Sequence, residues 1–175
     1  MSASSRKKHR HKDTLAEHRH WLAQAEAVAL QPASRGGSPH PTIKVGAVLV
    51  DRKGRMIAAA ANRFAYGIDR RRPERYRAGA KSLWINCAEQ LAIAKALRAR
   101  ADMRDATLYV TLEPCAICAG LIGELRLKQV FVPVNALRRY AKLKSKWKNS
   151  IEVGLIKLAE SGVNVTAIDT KKGKK

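Results

Sequence analysis

Apolar side chains that recur three and four positions apart predict helices in four parts of the chain. The predicted helices cover residues 14–30, residues 89–100, a stretch that begins at Pro114, and a stretch around Trp147 that ends at Gly162. Glu17 stands three residues after Thr14, which matches a capping box at the start of the first helix. In the second helix, the same spacing is expected to turn three residues inward: Leu91, Ala94 and Leu97.

Shorter apolar and β-branched runs predict five strands. Residues 43–51 and 55–63 are joined by three residues that include Gly54, a connection typical of a hairpin. The other three strands are predicted at residues 106–112, 128–134 and 163–168. Because helices alternate with the later strands, this order predicts a three-layer α/β/α domain around a mixed five-stranded sheet. Residues 64–80 show no steady period and are expected to form a loop or an irregular helix near the site.

Composition places the chain among globular proteins. It has 175 residues, of which 46% are hydrophobic and 28% charged, so one domain with a buried core is expected. Its longest apolar stretches are far shorter than the roughly 20 residues that cross a bilayer, so no membrane association is expected. Three cysteines, and a basic N-terminus with no apolar segment after it, argue against a secreted disulfide scaffold and favour the cytoplasm.

Positive charge is concentrated in a few segments. The chain has 35 Lys and Arg against 14 Asp and Glu, a net charge of +21. Residues 1–12 and 171–175 are predicted to be disordered basic tails on a domain that spans residues 13–170. Further basic groups lie within residues 70–81 and 126–148. They could form a solvated surface or bind an anionic partner, either a phosphorylated small molecule or a polynucleotide, and charge does not decide between these.

All three cysteines lie in two short segments that open predicted helices. Cys115 and Cys118 are three residues apart, so their sulfurs lie on one helical face and can hold one metal ion. Cys87 can supply a third thiolate if the two helix ends converge, and zinc suits such ligands best. Three protein ligands leave one position open for water, as in catalytic zinc sites. The alternatives are a structural site closed by His40 and a redox Cys-x-x-Cys pair.

Glu89 follows Cys87 by two residues, so its carboxylate can point toward the open position of a metal. A carboxylate there can take a proton from zinc-activated water and deliver it to a substrate. An acid on the first turn of a helix is otherwise explained by the helix dipole. Beside three cysteines, we predict that Glu89 is the catalytic base.

These two segments resemble the zinc signature of the cytidine deaminase superfamily, in which H-x-E precedes P-C-x-x-C. Here Cys87-Ala88-Glu89 is followed after 24 residues by Pro114-Cys115-Ala116-Ile117-Cys118. Residues 45–51, 107–113 and 119–120, together with Asn62, also resemble the superfamily, so the likeness extends over residues 15–168.

The resemblance implies a cytidine deaminase-like fold, a Zn²⁺ ion and a hydrolytic reaction. The implied zinc ligands are Cys87, Cys115 and Cys118. Glu89 would be the proton shuttle for attack of water at C4 of a cytosine ring, with release of ammonia. By the same resemblance the Asn62 side chain, which could also be a turn residue, would hydrogen-bond the sugar, and the Ala88 backbone would face the base. The superfamily also implies a homo-oligomer.

The chain departs from its nearest relatives at Cys87. Deoxycytidylate deaminases and tRNA adenosine deaminases usually have histidine there, whereas free-nucleoside cytidine deaminases have cysteine. Three thiolates leave a zinc unit with a net charge of −1, so a nearby donor should offset it. The expected donors are helix N-terminal amides, or else Arg126 or an arginine within residues 70–77.

Three functions remain open at this stage. Residues 72–77 and 147–163, with Lys81 and Trp84, resemble the deoxycytidylate deaminase branch, and the arginines would suit a 5′-phosphate. The Gly-Tyr-Asn-Gly pattern of allosterically regulated members is replaced here by Ala60-Ala61-Asn62-Arg63, so regulation by nucleotide triphosphates is not expected. We therefore predict a deaminase of dCMP, CMP or cytidine. The alternatives are a tRNA adenosine deaminase, favoured by residues 105–113 and the basic surface, and a nucleic-acid-binding zinc protein without turnover.

Overall fold

The structure is a computed structural model that describes residues 14–77, 81–139 and 145–170; the two predicted basic tails lie outside these ranges. The strands within them are β1 (Gly46–Val50), β2 (Met56–Ala61), β3 (Arg63–Phe64), β4 (Ile85–Asn86), β5 (Thr107–Val110), β6 (Gln129–Pro133) and β7 (Asn164–Ile168). The α-helices are α1 (Leu15–Leu30), α2 (Lys81–Trp84), α3 (Ala88–Arg98), α4 (Ala116–Glu124), α5 (Ala136–Arg139) and α6 (Ser145–Glu160).

Five of the strands form one mixed sheet, as predicted, and their order is β2-β1-β5-β6-β7. Strand β1 pairs antiparallel with β2 and with β5, whereas β6 pairs parallel with β5 and β7. Every residue of β1 and β5 is buried, as expected for strands covered on both faces. The parallel half consists of β5-α4-β6 and β6-α6-β7 units, which place the starts of α4 and α6 at the carboxyl ends of the strands.

Helix α1 covers one face of the sheet. Its capping box is present: the Glu17 N–H donates to the Thr14 hydroxyl, and the Thr14 N–H donates to the Glu17 carboxylate. Leu22 and Ala25 pack with Val48 and other residues of the sheet's interior. The second and larger core cluster lies around α3, α4 and α6 on the other face. Helices thus flank the sheet on both sides.

Helix α3 buries a different face from the predicted one. Leu97 is 55% exposed and Ala94 is also exposed, whereas only Leu91 of the predicted trio is partly buried. The buried residues of α3 are Ala88, Glu89, Ala92, Ile93 and Ala96. All of these except Glu89 belong to the same core as the alanines of β1 and β2, so the helix packs mainly through alanines and Ile93, with Leu91 at the edge.

The last helix matches its sequence pattern. Ile151 and Leu158 are buried, and Trp147 and Leu155 pack against the core from partly buried positions. Gly162 has a φ of 72°, the left-handed conformation that ends a helix. Within the described ranges, every helix is too short or too polar to cross a membrane.

Candidate active site

Three cysteine sulfurs meet where helices α3 and α4 begin. Cys87 is the N-cap of α3, Cys115 is the N-cap of α4, and Cys118 lies on the first turn of α4. The Sγ atoms of Cys87 and Cys115 are 4.0 Å apart, and all three Sγ atoms lie within 4.8 Å of one another. Helix α4 begins at Ala116, two residues after the predicted start at Pro114, and Cys115 is its N-cap.

The sulfur spacing fits zinc. At a Zn–S distance of about 2.3 Å, tetrahedral ligands lie about 3.8 Å apart, so small side-chain shifts bring all three sulfurs onto one ion. None of the three cysteines is in a disulfide. In the described part of the chain the group has no fourth histidine or carboxylate member. Three protein ligands are the number that catalytic zinc sites use, since the fourth position then takes water or substrate.

The three thiols can all ionise only if a cation binds them. Hydrogen bonds from Cys118 and Cys87 lower the pKa of the Cys115 thiol to about 2, and the backbone N–H groups of Cys118 and Ile117 contribute. The same contacts with Cys115 raise the pKa of Cys87 and of Cys118. One thiolate is therefore stable, and a second and third need a bound cation. The helix amides are the donors that we expected beside the thiolates.

The buried carboxylate of Glu89 faces the same cavity as the cysteines. Glu89 is 3% exposed, and burial raises its pKa to about 8. The cavity has a volume of about 110 Å³. The predicted site residues that line it are Asn62, Cys87, Ala88, Glu89 and Cys115. The structure thus brings a metal group, an acid and two predicted substrate contacts to one place.

Asn62 and His40 hold the wall of this cavity. The Asn62 side-chain oxygen accepts the Val45 N–H at 2.9 Å, and its amide nitrogen donates to the Ile43 carbonyl at 3.0 Å. His40 Nδ1 accepts the Ile43 N–H at 2.9 Å. His40 lines the cavity but is not a member of the three-sulfur group, so the structure does not support it as a fourth ligand.

The arginines expected to offset the thiolate charge lie elsewhere. Arg126 follows the C-terminal end of α4, about 14 Å along the helix from Cys115 at 1.5 Å per residue. No described residue of the 70–77 segment lines the cavity. Arg75 instead stacks over the Trp84 ring at 4.3 Å. The structure does not support these arginines as donors to the metal group, because Arg126 lies beyond the far end of α4 and none of residues 70–77 lines the cavity.

Glu113, Trp147 and Ile151 are among the lining residues that were not recognised as site residues from the sequence. Glu113 carries a buried carboxylate oxygen without a hydrogen-bond partner among the described residues, and burial raises its pKa. An acid directly after a buried strand was the available signal. Trp147 and Ile151 come from α6, and no local pattern connects that helix with the cysteines.

A second cavity of about 250 Å³ is lined by Arg63 and Arg70 with Tyr66 and Pro39. Arg63 follows Asn62 in the chain, and Pro39 precedes His40, so the two cavities have lining residues that are neighbours in sequence. The lining of the second cavity contains two arginines and no carboxylate, so it is a positively charged recess.

Comparisons with known proteins agree with this geometry. A family model described as the cytidine and deoxycytidylate deaminase zinc-binding region matches residues 19–134. A probable deoxycytidylate deaminase of Caenorhabditis elegans is 30% identical over 124 residues, which are 67% of this chain and 57% of that protein. A tRNA-specific adenosine deaminase of Rickettsia felis is 35% identical over 89 residues, which are 51% of this chain and 54% of that protein. The chain thus spans about half the length of the curated relatives it matches.

The fold is shared with solved structures. The dCMP deaminase of cyanophage S-TIM5, solved in complex with dCMP and dUMP, has a TM-score of 0.65 to this chain at 20% identity. The alignment covers 89% of this chain and 98% of that one. This similarity confirms the predicted three-layer fold with its mixed sheet.

Proposed function

Because this chain belongs to the cytidine and deoxycytidylate deaminase zinc-binding family, we propose that it is a zinc-dependent hydrolase that deaminates a cytosine nucleotide or nucleoside. One observation carries the proposal. Three cysteine sulfurs lie within 4.8 Å of one another, and two of these cysteines, Cys87 and Cys115, line a cavity together with Glu89. That combination supplies a metal ligand set and a proton acceptor beside it.

The reaction replaces the amino group on C4 of the ring with oxygen. Cys87, Cys115 and Cys118 would hold zinc, which when bound acts as a Lewis acid and lowers the pKa of water to about 7. The raised pKa of Glu89 would be lowered by a cation on the neighbouring sulfurs, so that its carboxylate is ionised. Glu89 then takes a proton from the attacking water and passes it to ring nitrogen N3. After the water oxygen has bonded to C4, Glu89 takes the remaining hydroxyl proton and gives it to the amino group. The C4–N bond breaks, the oxygen stays on C4 as a carbonyl, and ammonia leaves.

Asn62 and Ala88 are proposed to orient the substrate. The Asn62 amide is fixed by two hydrogen bonds to residues 43 and 45, so its remaining donor and acceptor positions are held still toward the cavity. Ala88 is the first residue of α3, and its backbone N–H has no partner within the helix. Both groups can hydrogen-bond a sugar or a base without moving, which lowers the entropy cost of binding.

The positively charged recess supports a phosphate-bearing substrate over a free nucleoside. A sugar next to Asn62 would direct a 5′-phosphate toward the neighbouring residue, Arg63. Lys95 lies near Arg63, and its pKa is lowered by burial and by that positive charge. An anion in the recess would relieve this like-charge contact. We therefore favour dCMP or CMP over cytidine as the substrate.

Replacing Arg63 by alanine tests this preference. We expect the KM for dCMP or CMP to rise about 10–100-fold, because a hydrogen bond to a charged group contributes about 1.5–3 kcal/mol. The KM for cytidine should change less than about twofold, since cytidine has no phosphate. Arg98→Ala is the matched control, because Arg98 is exposed at the end of α3 far from Cys87. An equal rise for nucleotide and nucleoside would contradict the assignment of the recess.

A tRNA adenosine deaminase is the second candidate. The net charge of +21 suits a polyanion, and two of the curated relatives are tRNA-specific adenosine deaminases. Cys87 does not separate the two candidates, because deoxycytidylate deaminases also usually have histidine at this position. This candidate predicts inosine in the anticodon of a tRNA incubated with the protein.

A substrate screen that measures ammonia release separates these functions. Zinc-loaded protein is incubated at controlled salt with dCMP, CMP, cytidine and tRNA in parallel. We expect turnover of the cytosine nucleotides, detected also by the loss of cytosine absorbance. Release of ammonia from tRNA alone would support the second candidate. Stoichiometric zinc without turnover of any substrate would indicate a nucleic-acid-binding zinc protein.

A further inference from the structure

One face of α6 lies against the segment that carries Cys115. Ser150, Gly154 and Lys157 are spaced four and three residues apart and all contact residues 114–116. The Ser150 hydroxyl accepts a hydrogen bond from the Ala116 N–H at 3.2 Å. Lys157 Nζ donates to the Ala116 carbonyl oxygen at 3.1 Å. Helix α6 therefore holds both backbone groups of the residue that follows Cys115.

Gly154 lets the two backbones come into direct contact. A Cβ atom at this position would overlap the Pro114 carbonyl oxygen and would lie 3.0 Å from the carbonyl carbon of Cys115. These are backbone atoms, which cannot rotate away as a side chain can. A side chain at position 154 therefore requires either α6 or the Cys115 segment to move.

The first turn of α4 has two sources of support: the backbone N–H groups of Ile117 and Cys118 interact with the Cys115 sulfur, and that of Ala116 donates to Ser150. Its N-cap is Cys115, where most helices carry a residue with a side-chain oxygen that accepts a backbone N–H. The Cys115 sulfur faces the other two sulfurs, and Ser150 supplies a hydroxyl acceptor from a different helix. The first turn of α4 carries both Cys115 and Cys118, so its orientation sets two of the three sulfur positions.

We infer that α6 is a clamp on the metal group, and that Ser150 and Gly154 are positioning residues that determine how tightly zinc is retained. The inference rests on the proposed zinc site. Helix α6 begins at Ser145, beyond residue 134, where the match to the family model ends. The clamp is thus built from a part of the chain that the family model does not describe.

The affinity for zinc is the direct measure of the clamp. Competition with a chromogenic chelator should show zinc binding about 10–100-fold weaker in Ser150→Ala and in Gly154→Ala, the usual effect of removing a partner behind a metal ligand. Ser150→Thr keeps the hydroxyl and should return the affinity to within about threefold of wild type. Alanine favours helix formation more than glycine does, so Gly154→Ala would stabilise α6 if the contact with the Cys115 segment were unimportant. Weaker zinc binding in this variant would therefore report the lost contact and not a weakened helix.

Spectroscopy and matched variants complete the test. The thiolate-to-metal absorption of the cobalt-substituted protein should shift in Ser150→Ala, because the sulfurs change position. Val153→Ala, on the exposed side of α6, should bind zinc like wild type. Zinc affinities within about twofold of wild type in both clamp variants, with zinc lost in Cys115→Ser, would overturn the clamp and leave the site intact. Undiminished zinc binding in Cys115→Ser would instead refute the zinc site itself, and the clamp with it.

Discussion

Replacing Glu89 by glutamine should lower the deamination rate by about 10²–10⁴-fold while leaving zinc content and folding unchanged. Glutamine has the same shape as glutamate, but it cannot accept a proton from water and return it to the ring. Glu89 is 3% exposed and lines the same cavity as the cysteines, so solvent is poorly placed to replace it. Ammonia release under saturating substrate gives the rate, and metal analysis with circular dichroism gives zinc content and fold.

Glu124→Gln is the matched control for this substitution. Glu124 is exposed at the end of α4, so the same chemical change there should leave the rate near that of wild type. A Glu89→Gln protein that retained wild-type turnover would show that another group moves the protons. The other acid in the cavity lining, Glu113, would then be the residue to replace next.

Replacing Cys118 by serine should remove zinc and stability together. Cys118 has no exposed surface and lies on the first turn of α4 between the other two ligands and the core. Wild-type protein with free zinc at 100 times its dissociation constant gains about 2.7 kcal/mol of folding free energy. The serine variant should gain almost none of this, because two thiolates hold zinc far more weakly than three. Unfolding by denaturant, with and without added zinc, measures the difference.

Metal removal from the wild type is the reference for that variant. Wild-type protein stripped by a chelator should unfold at the same denaturant concentration as Cys118→Ser, and added zinc should restore only the wild type. If Cys118→Ser kept one zinc per chain and responded to it as the wild type does, Cys118 would not be a ligand.

Most elements of the fold follow from local signals. The capping box at Thr14, the hairpin around Gly54 and the helix end at Gly162 each depend on neighbours in sequence, and the structure contains all three. The buried face of α3 does not follow from such signals. Its alanines face inward because β1 and β2 also present alanines, which is a property of the packed pair and not of the helix.

The site divides in the same way. The ligand spacing of Cys115 and Cys118 is local, and the position of Glu89 after Cys87 is local too. The position of Trp147 in the cavity wall does not follow from local sequence, because the β6-α6-β7 crossover is what brings helix α6 to the cavity. The expected role of Arg126 beside the metal group was not supported, because the position of a charged residue in the sequence does not show which end of a helix faces the site. The cytoplasmic location, the homo-oligomer and the division into one domain with two tails stay predictions.

The chain has three cysteines in all, and every one of them belongs to the sulfur group at the starts of α3 and α4. A reagent that counts reactive thiols therefore reads out metal release without background from the rest of the protein. The same arrangement makes the protein sensitive to oxidation, since oxidation of any cysteine removes one sulfur from this group. Purification in the presence of zinc or a reducing agent should preserve activity for that reason.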